Sequence, residues 1–260
     1  MSCSGVIGVL LRKLQVRAVR CAGRQVHARR VALPPSFSGV SICFDDFPSS
    51  AATVGRDLVE AVGGKATYFA AAGLLETEGM YGPMASMSQV VSLLAGGHEV
   101  GCHTFSHLDC TASSDRDLLC ELERNLEALT SLGDAPLQSF AFPFGRMNMH
   151  LKRLLSRRFA SLRSIDPGVE RGTVDLLQLR GNKLYSSHNW VARAELLLRG
   201  VATGGGWLIV YTHDVSDTPT EFGVTLRDLA GFTVQCRRFG IPIRTVGDVV
   251  RELRVHSSAC

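Results

Sequence analysis

Two histidines four residues apart, His103 and His107, follow an apolar run typical of a β-strand. If this loop makes a helical turn, both imidazoles point the same way and can hold one cation. Two adjacent carboxylates, Asp45 and Asp46, follow another such run. Two imidazoles and one carboxylate leave a coordination position open for water, which is typical of catalytic metal centres. The remaining carboxylate can then act as the base toward that water.

Two further strand-like runs end in residues that can take part in the same chemistry. His213 follows one of them and can protonate a leaving amine. Pro143 and Gly145 flank Phe144 in a segment that can form a tight turn, whose backbone N–H groups can hold a developing oxyanion. The sequence therefore offers a base, a metal site, an acid and an oxyanion donor.

Each of these patterns also has an ordinary structural interpretation. An Asp-Asp pair commonly forms a turn or a helix cap, and a Pro-Phe-Gly segment can be a plain turn. Histidines at strand ends often make local hydrogen bonds only. The chemical interpretation is favoured by position, because all four segments stand where strands end, and reactive groups of strand-helix barrels lie there.

The elements that must position these residues are short strand-like runs that alternate with helical patterns. This alternation predicts a parallel sheet wrapped by helices, and the count favours an α/β fold with an irregular, TIM-like (β/α)7 parallel barrel in one domain. The predicted strands are Val40–Phe44, Ala66–Ala71, His98–Cys102, Gln138–Phe142, Phe159–Ser164, Trp207–Tyr211 and Ile241–Thr245, with a weaker run at Leu176–Arg180. The predicted helices are Ala52–Val62, Met87–Ala95, Asp115–Leu132, Met147–Ser156, Val191–Arg199, Thr225–Phe239 and Val246–Leu253.

The clearest helical pattern is Asp115–Leu132. Acidic residues occupy its first turn and Gly133 follows as a stop signal. Its leucines share one face, as in an amphipathic helix. They are Leu118, Leu122, Leu126 and Leu129.

Charge divides the chain into two parts. Residues 1–44 hold seven Lys or Arg and no acid, although the whole chain carries only +4. We predict a poorly ordered basic extension over residues 1–35 and the barrel domain over 36–255. A basic tail can also be a targeting segment or an arm for nucleic acid or anionic membrane. Because it lacks interleaved aromatic residues, no nucleic-acid partner is expected.

Compartment and redox state are predicted from absent signals. No apolar run approaches a membrane span, and the charges near the N-terminus follow the apolar stretch, whereas a secretory signal places them before it. The eight cysteines show no CxxC or compact framework spacing. We therefore expect reduced thiols and a cytoplasmic location, and the oligomeric state is left open.

Taken in order, the four segments resemble the polysaccharide deacetylase family, also called carbohydrate esterase family 4 or the NodB homology domain, over roughly residues 38–250. The resemblance implies hydrolysis of the acetamide on N-acetylglucosamine units of an acetylated glycan, with zinc or another divalent ion. It implies that Asp45 is the base and His213 the general acid. It assigns the metal to Asp46, His103 and His107.

The resemblance also concerns the residues that meet the substrate. Phe142-Pro143-Phe144-Gly145 is similar to the family's third motif, which makes Pro143 and the Phe144 amide part of the oxyanion and substrate site. Tyr211 stands where the family commonly has a leucine that lines the acetyl pocket. We further expect Asp214, or another nearby acid, to keep the His213 imidazole charged.

One departure from the family concerns the residue that orients the base. Ala141 stands where the third motif usually carries an arginine, a feature shared with the exopolysaccharide deacetylase branch. Asp166, Asp175 and Arg180 are candidates for the orienting role, although each also fits a structural salt bridge. Two other functions stay open: a glycan-binding domain with weakened catalysis, and a hydrolase of a small non-peptide amide.

Overall fold

The computed structural model describes residues 26–131 and 137–258, with side chains up to residue 256. Most of the predicted basic extension and Gly133 lie outside the described residues. Arg30–Ala32, within the predicted extension, forms a strand antiparallel to Thr173–Asp175. The domain boundaries at 35 and 255 stay predictions.

Seven parallel strands form one curled half-barrel sheet, which confirms the predicted fold class. The strands of the chain are β1 (Arg30–Ala32), β2 (Ser38–Asp45), β3 (Thr67–Ala70), β4 (Glu78–Gly79), β5 (Gly82–Pro83), β6 (Glu99–Cys102), β7 (Ser139–Ala141), β8 (Ser161–Arg163), β9 (Thr173–Asp175), β10 (Asn182–Lys183), β11 (Gly206–Thr212), β12 (Val215–Ser216) and β13 (Val224–Thr225).

The order across the main sheet is β10-β11-β2-β3-β6-β7-β8. The central strands β2 and β11 are almost wholly buried, as expected where a parallel sheet is covered on both faces. The segment after β9 runs along β8, where Leu162 and Ser164 donate to the carbonyls of Leu176 and Leu179, and then enters β10. This segment is hydrogen-bonded to the edge strand β8 and continues along the chain into the other edge strand, β10.

Helices cover the outer face of this sheet, except the last, which packs on the same side as Cys43. They are α1 (Arg56–Glu60, preceded by a π-helical turn at Ala51–Gly55), α2 (Met87–Ala95), α3 (Asp115–Thr130), α4 (Met149–Leu155), α5 (Trp190–Gly204), α6 (Leu226–Arg238) and α7 (Val246–Ser258). Within the described residues, no helix is both long and apolar enough to cross a membrane.

Side-chain alternation along the strands divides the core and positions the polar groups. In β2, Ile42 and Phe44 join the outer apolar cluster, whereas Cys43 joins the inner one. Asp45 shares the inward direction of Cys43, because side chains two apart on a strand lie on one face. In β8, Leu162 points outward, so Arg163 points into the barrel by the same rule.

The predicted strand at Ile241–Thr245 is wrong. Only Ile243 makes a single parallel bridge, to Val40, and Pro242 has no N–H to donate to a ladder. The weaker run at Leu176–Arg180 is not a named strand either, and the seventh strand is the two-residue β10 at Asn182–Lys183.

Candidate active site

Asp45 and Asp46 are brought to the mouth of the barrel by the end of β2. Asp45 is the last residue of the strand and points inward, and Asp46 adopts a positive φ of 55°. Such a backbone is strained for a residue other than glycine and is common at functional sites. Both carboxylates are buried, at 5% and 4% exposure.

His103 and His107 follow β6 and face the same mouth as Asp46. Their Nε2 atoms lie 3.8 and 3.6 Å from Asp46 Oδ1. The segment between them is not the helical turn that the spacing of four residues would allow. Thr104 and His107 have positive φ values of 62° and 58°, so an irregular loop brings the two imidazoles together.

These three residues offer ligand atoms that all lie within 4.8 Å of one another. Asp46 Oδ1 is buried without a hydrogen-bond partner, which is costly for a carboxylate unless a cation is bound. Burial, followed by the neighbouring charge of Asp45, raises the pKa of Asp46 to about 7. The donor set of one carboxylate and two imidazoles therefore fits a divalent metal ion.

The protonation of His103 suits a metal ligand. Its Nδ1–H donates to the Ala141 carbonyl over 2.8 Å, which leaves the Nε2 lone pair directed at the ligand cluster. Burial lowers the pKa of His103 to about 3 and also lowers the pKa of His107. Both imidazoles are therefore neutral at working pH, as metal binding requires.

Asp45 is paired with an arginine that the motif pattern did not reveal. Arg163, at the end of β8, donates from Nη2 to Asp45 Oδ2 over 2.5 Å, and its side chain is 2% exposed. Its guanidinium lies 5.1 Å from the Phe69 ring centroid and 4.8 Å from that of Tyr211. Asp45 Oδ1 is left buried without a hydrogen-bond partner.

This ion pair decides the charge of Asp45. Burial alone would raise the pKa of Asp45, but the charge and the hydrogen bond of Arg163 outweigh burial and hold it below the ordinary value. Asp45 is thus ionised and held by one oxygen, which leaves the other available toward the metal cluster.

The three residues that we predicted as orienting candidates lie elsewhere. Asp166 accepts a hydrogen bond from Gln178, and Asp175 accepts one from the buried Lys152. Arg180 Nε lies 3.7 Å from Glu170 Oε2. They make structural contacts, and Arg163 occupies the place predicted for one of them.

His213 follows β11 and completes the group. Its Nδ1–H donates to the Phe222 carbonyl over 3.1 Å, and burial lowers its pKa. Asp214, which we expected beside this imidazole, instead accepts from the backbone N–H and hydroxyl of Thr220 at 2.8 and 2.6 Å. The hydrogen-bond partner of His213 Nδ1 is therefore a carbonyl of its own loop, and the charges of the buried Asp45 and Asp214 favour the protonated imidazole without outweighing burial.

The third-motif segment forms a 3-10 turn after β7. Phe144 has a positive φ of 57°, and its half-exposed ring contacts His107 edge-on at 4.4 Å. Pro143 is buried behind it, and Tyr211 lines the mouth between Arg163 and Tyr185. The turn thereby places the Phe144 ring against the His107 imidazole.

Comparison with known proteins agrees with this arrangement. The family model described as polysaccharide deacetylase matches residues 33–158. The chain belongs to the polysaccharide deacetylase family. The match includes both aspartates and both histidines of the cluster and ends before Arg163 and His213. A search of the curated proteins finds no match.

Solved structures resemble the fold of this chain. The peptidoglycan deacetylase PdaC from Bacillus subtilis is 18% identical with a TM-score of 0.57, over 87% of this chain and 96% of that one. The family 4 carbohydrate esterase from Streptomyces lividans, in complex with acetate, is 18% identical with a TM-score of 0.54, over 79% and 91%.

Helix α3 supports the loop between His103 and His107, a contact that the sequence pattern did not show. Buried Glu121 accepts from the backbone N–H groups of Phe105 and Ser106 at 3.0 and 2.7 Å. Asn125 accepts from Ala72 N–H and donates to the Ala70 carbonyl. The helix therefore holds the loop between His103 and His107 from outside. The only sequence signal for the two supporting residues is their spacing of four, which places them on one face of the helix.

The cluster lies at the base of one cavity of about 660 Å³. Aromatic residues form much of its wall, among them Tyr81, Phe144, Tyr185 and Phe222. This volume lies within the range of about 300–1,000 Å³ for pockets that enclose drug-sized ligands. The cavity therefore accommodates a small number of sugar rings above the candidate metal site.

Proposed function

We propose that this deacetylase removes N-acetyl groups from N-acetylglucosamine units of an acetylated glycan, with a divalent ion as cofactor and zinc as the expected metal. The observation that carries the proposal is the buried pair of Arg163 and Asp45 beside the donor set of Asp46, His103 and His107. An oriented carboxylate next to three ligand atoms is the arrangement that metal-assisted amide hydrolysis needs.

Asp46, His103 and His107 would hold the ion. When bound, the ion polarises the acetyl carbonyl and lowers the pKa of water in the site. His103 is suited to this role because its Nδ1–H is already committed to the Ala141 carbonyl.

Asp45 is the proposed base. Its Oδ2 accepts from Arg163, and its Oδ1 has no hydrogen-bond partner and can take the proton of the attacking water. Arg163 keeps the carboxylate ionised and fixes its rotamer, so that the proton acceptor is in place before the substrate arrives.

His213 is the proposed acid for the departing amine. Its Nδ1–H is held by the Phe222 carbonyl, so the proton given to the amine is the one on Nε2 of the imidazolium form, which then regains a proton from the protonated Asp45 through solvent. The Phe144 amide is the proposed donor to the oxygen that becomes negatively charged during attack. After the C–N bond breaks, acetate and the protonated amino sugar leave the cavity.

Arg163 also bears on the alternative of a glycan-binding domain with weakened catalysis. That alternative rested on Ala141, which stands where the family's arginine is expected. The guanidinium is supplied by β8 instead, so the contact to the base is retained. This favours an active enzyme.

The deciding experiment measures acetate release from N-acetylated chito-oligosaccharides and from small N-acetyl amides, using protein whose metal content is known. We expect zinc at one equivalent, loss of acetate release after chelation, and its return on metal addition. Bound metal without turnover of any glycan would instead identify a binding domain. Turnover of the small amides alone would identify a different hydrolase.

A further inference from the structure

A β-hairpin that follows β3 carries an aromatic side chain over the candidate acid. Strands β4 and β5 form this hairpin, and Tyr81 lies in its turn. The Tyr81 ring stacks on the His213 imidazole, with centroids 4.6 Å apart and an interplanar angle of 26°. Tyr81 also meets Phe222 edge-on at 6.4 Å. None of the four motif segments includes this residue.

The hairpin is fastened to the rest of the site by its backbone. At its base, Met84 N–H donates to the Thr77 carbonyl at 2.9 Å and Glu76 N–H donates to Ala85 at 3.0 Å. Ala85 N–H then donates to the Phe47 carbonyl, in the loop that directly follows Asp46. Tyr81 is thus tied to the loop that carries both aspartates.

Close packing inside the hairpin fixes its shape further. A Cβ on Gly79 would meet Met84 Sδ at 2.6 Å, and Gly82 has a φ of +89°. Tyr81 faces His213 inside the cavity, and the neighbouring turn residue Met80 lines the same cavity although it is 70% exposed.

Residues from all parts of the barrel mouth line the cavity above the ligand cluster. They follow or belong to each of the seven strands of the sheet, and the hairpin supplies the lining above β3. Phe144 stands on the side of β7, and Lys183 and Tyr185 stand on the side of β10. A glycan that passed through the site would have to leave the cavity between these side chains at two places.

We propose that Tyr81 and its hairpin close the cavity, so that the enzyme acts on the terminal N-acetylated unit of a glycan or on a short oligosaccharide, and not on internal units. This inference rests on the proposed function. Tyr81 would face one side of the terminal sugar ring while its stacking holds His213 in place. A single substitution at Tyr81 should therefore change substrate choice more than it changes the chemistry.

The test compares N-acetylglucosamine oligomers from the dimer to the hexamer, with the reducing end labelled and the deacetylated unit located by mass spectrometry. For the unmodified protein we expect deacetylation of one terminal unit to exceed that of internal units by at least about tenfold. Tyr81→Ala and Tyr81→Leu should reduce this preference about tenfold and raise KM for the dimer.

Controls separate the wall from its neighbours. Tyr81→Phe keeps the ring and should keep the positional preference, and Leu196→Ala changes an exposed residue of α5 outside the cavity and should leave preference and rate unchanged. Metal content and circular dichroism establish that the variants are folded. Equal rates at internal and terminal units in the unmodified protein would overturn this inference alone. An absence of acetate release from every oligomer would overturn the proposed function and this inference with it.

Discussion

Arg163 and Asp45 are 118 residues apart in the chain and form a buried ion pair at 2.5 Å inside the barrel. The strands that carry them, β8 and β2, are separated by three other strands in the sheet. The curl of the sheet brings their inward faces together, and the pair forms where the two strands end. An arginine on β8 thus makes the contact to Asp45 that was expected from an arginine of the third motif.

Loss of Arg163 is expected to act on turnover more than on substrate binding. Arg163→Lys should lower kcat about 100-fold with a small change in KM, because Asp45 loses its oriented partner. Arg163→Met should also destabilise the protein by about 3–5 kcal/mol, since it leaves a buried carboxylate unpaired. Kinetics with metal-loaded protein and denaturant unfolding measure both. Arg180→Met is the matched control, and an equal loss of rate there would contradict the assignment.

Replacement of the base should separate metal binding from turnover. Asp45→Asn is expected to keep one equivalent of metal and to lower kcat by about 10²–10⁴, because the side chain no longer accepts a proton. Elemental analysis and acetate release test the two expectations on the same sample. If this variant released acetate at the parental rate, Asp45 would not be the base.

Metal affinity should depend on pH through Asp46. The pKa of this carboxylate in the metal-free protein is about 7, because of burial and the charge of Asp45. A proton therefore competes with the metal below pH 7, and the affinity should fall as the pH drops from 8 to 5. Titration calorimetry with zinc at several pH values measures this. His103, with a pKa of about 3, contributes no competition in that range.

The contribution of the same carboxylate to the stability of the metal-free protein should fall as the pH rises. The pKa of Asp46 is higher in the folded than in the unfolded protein, so this contribution falls between about pH 4 and 7. Four histidines with lowered pKa values contribute in the opposite direction over part of this range, so the parent and the Asp46→Asn variant are compared with each other. Asp46→Asn should be stabilised relative to the parent by a difference that grows with pH, to on the order of 4 kcal/mol at pH 8. Thermal unfolding with a chelator present measures both proteins, and a difference that does not grow with pH over this interval would contradict the assignment.

The brace from helix α3 should affect the metal site without touching the ion. Glu121→Gln keeps the shape of the side chain but weakens its hydrogen bonds to the histidine loop, and we expect a 10–100-fold lower metal affinity. Glu127→Gln changes an exposed carboxylate of the same helix and should leave the affinity unchanged. Competition with a chromogenic chelator measures both variants, and equal affinities would remove Glu121 from the supporting shell.

Helix α3 also shows what periodicity alone predicted and what it missed. The pattern placed Leu118, Leu122 and Leu129 on the buried face, and all three are buried. Leu126, predicted on the same face, is 42% exposed, while polar Glu121 and Asn125 are buried. The reason is that the loops at the barrel mouth leave backbone N–H groups that need acceptors, so polar residues occupy the buried stripe.

The sequence by itself determined the alternation of strands and helices, the parallel sheet and the four segments that gather at its mouth. These follow from local periodicity and from the rule that reactive groups stand at the carboxyl ends of parallel strands. Only the tertiary structure decided which distant groups became partners. Arg163 pairs with Asp45, the Phe222 carbonyl accepts a hydrogen bond from His213, and the Tyr81 ring stacks on His213. Such contacts depend on the curl of the sheet and the path of loops, which no local spacing in the chain encodes.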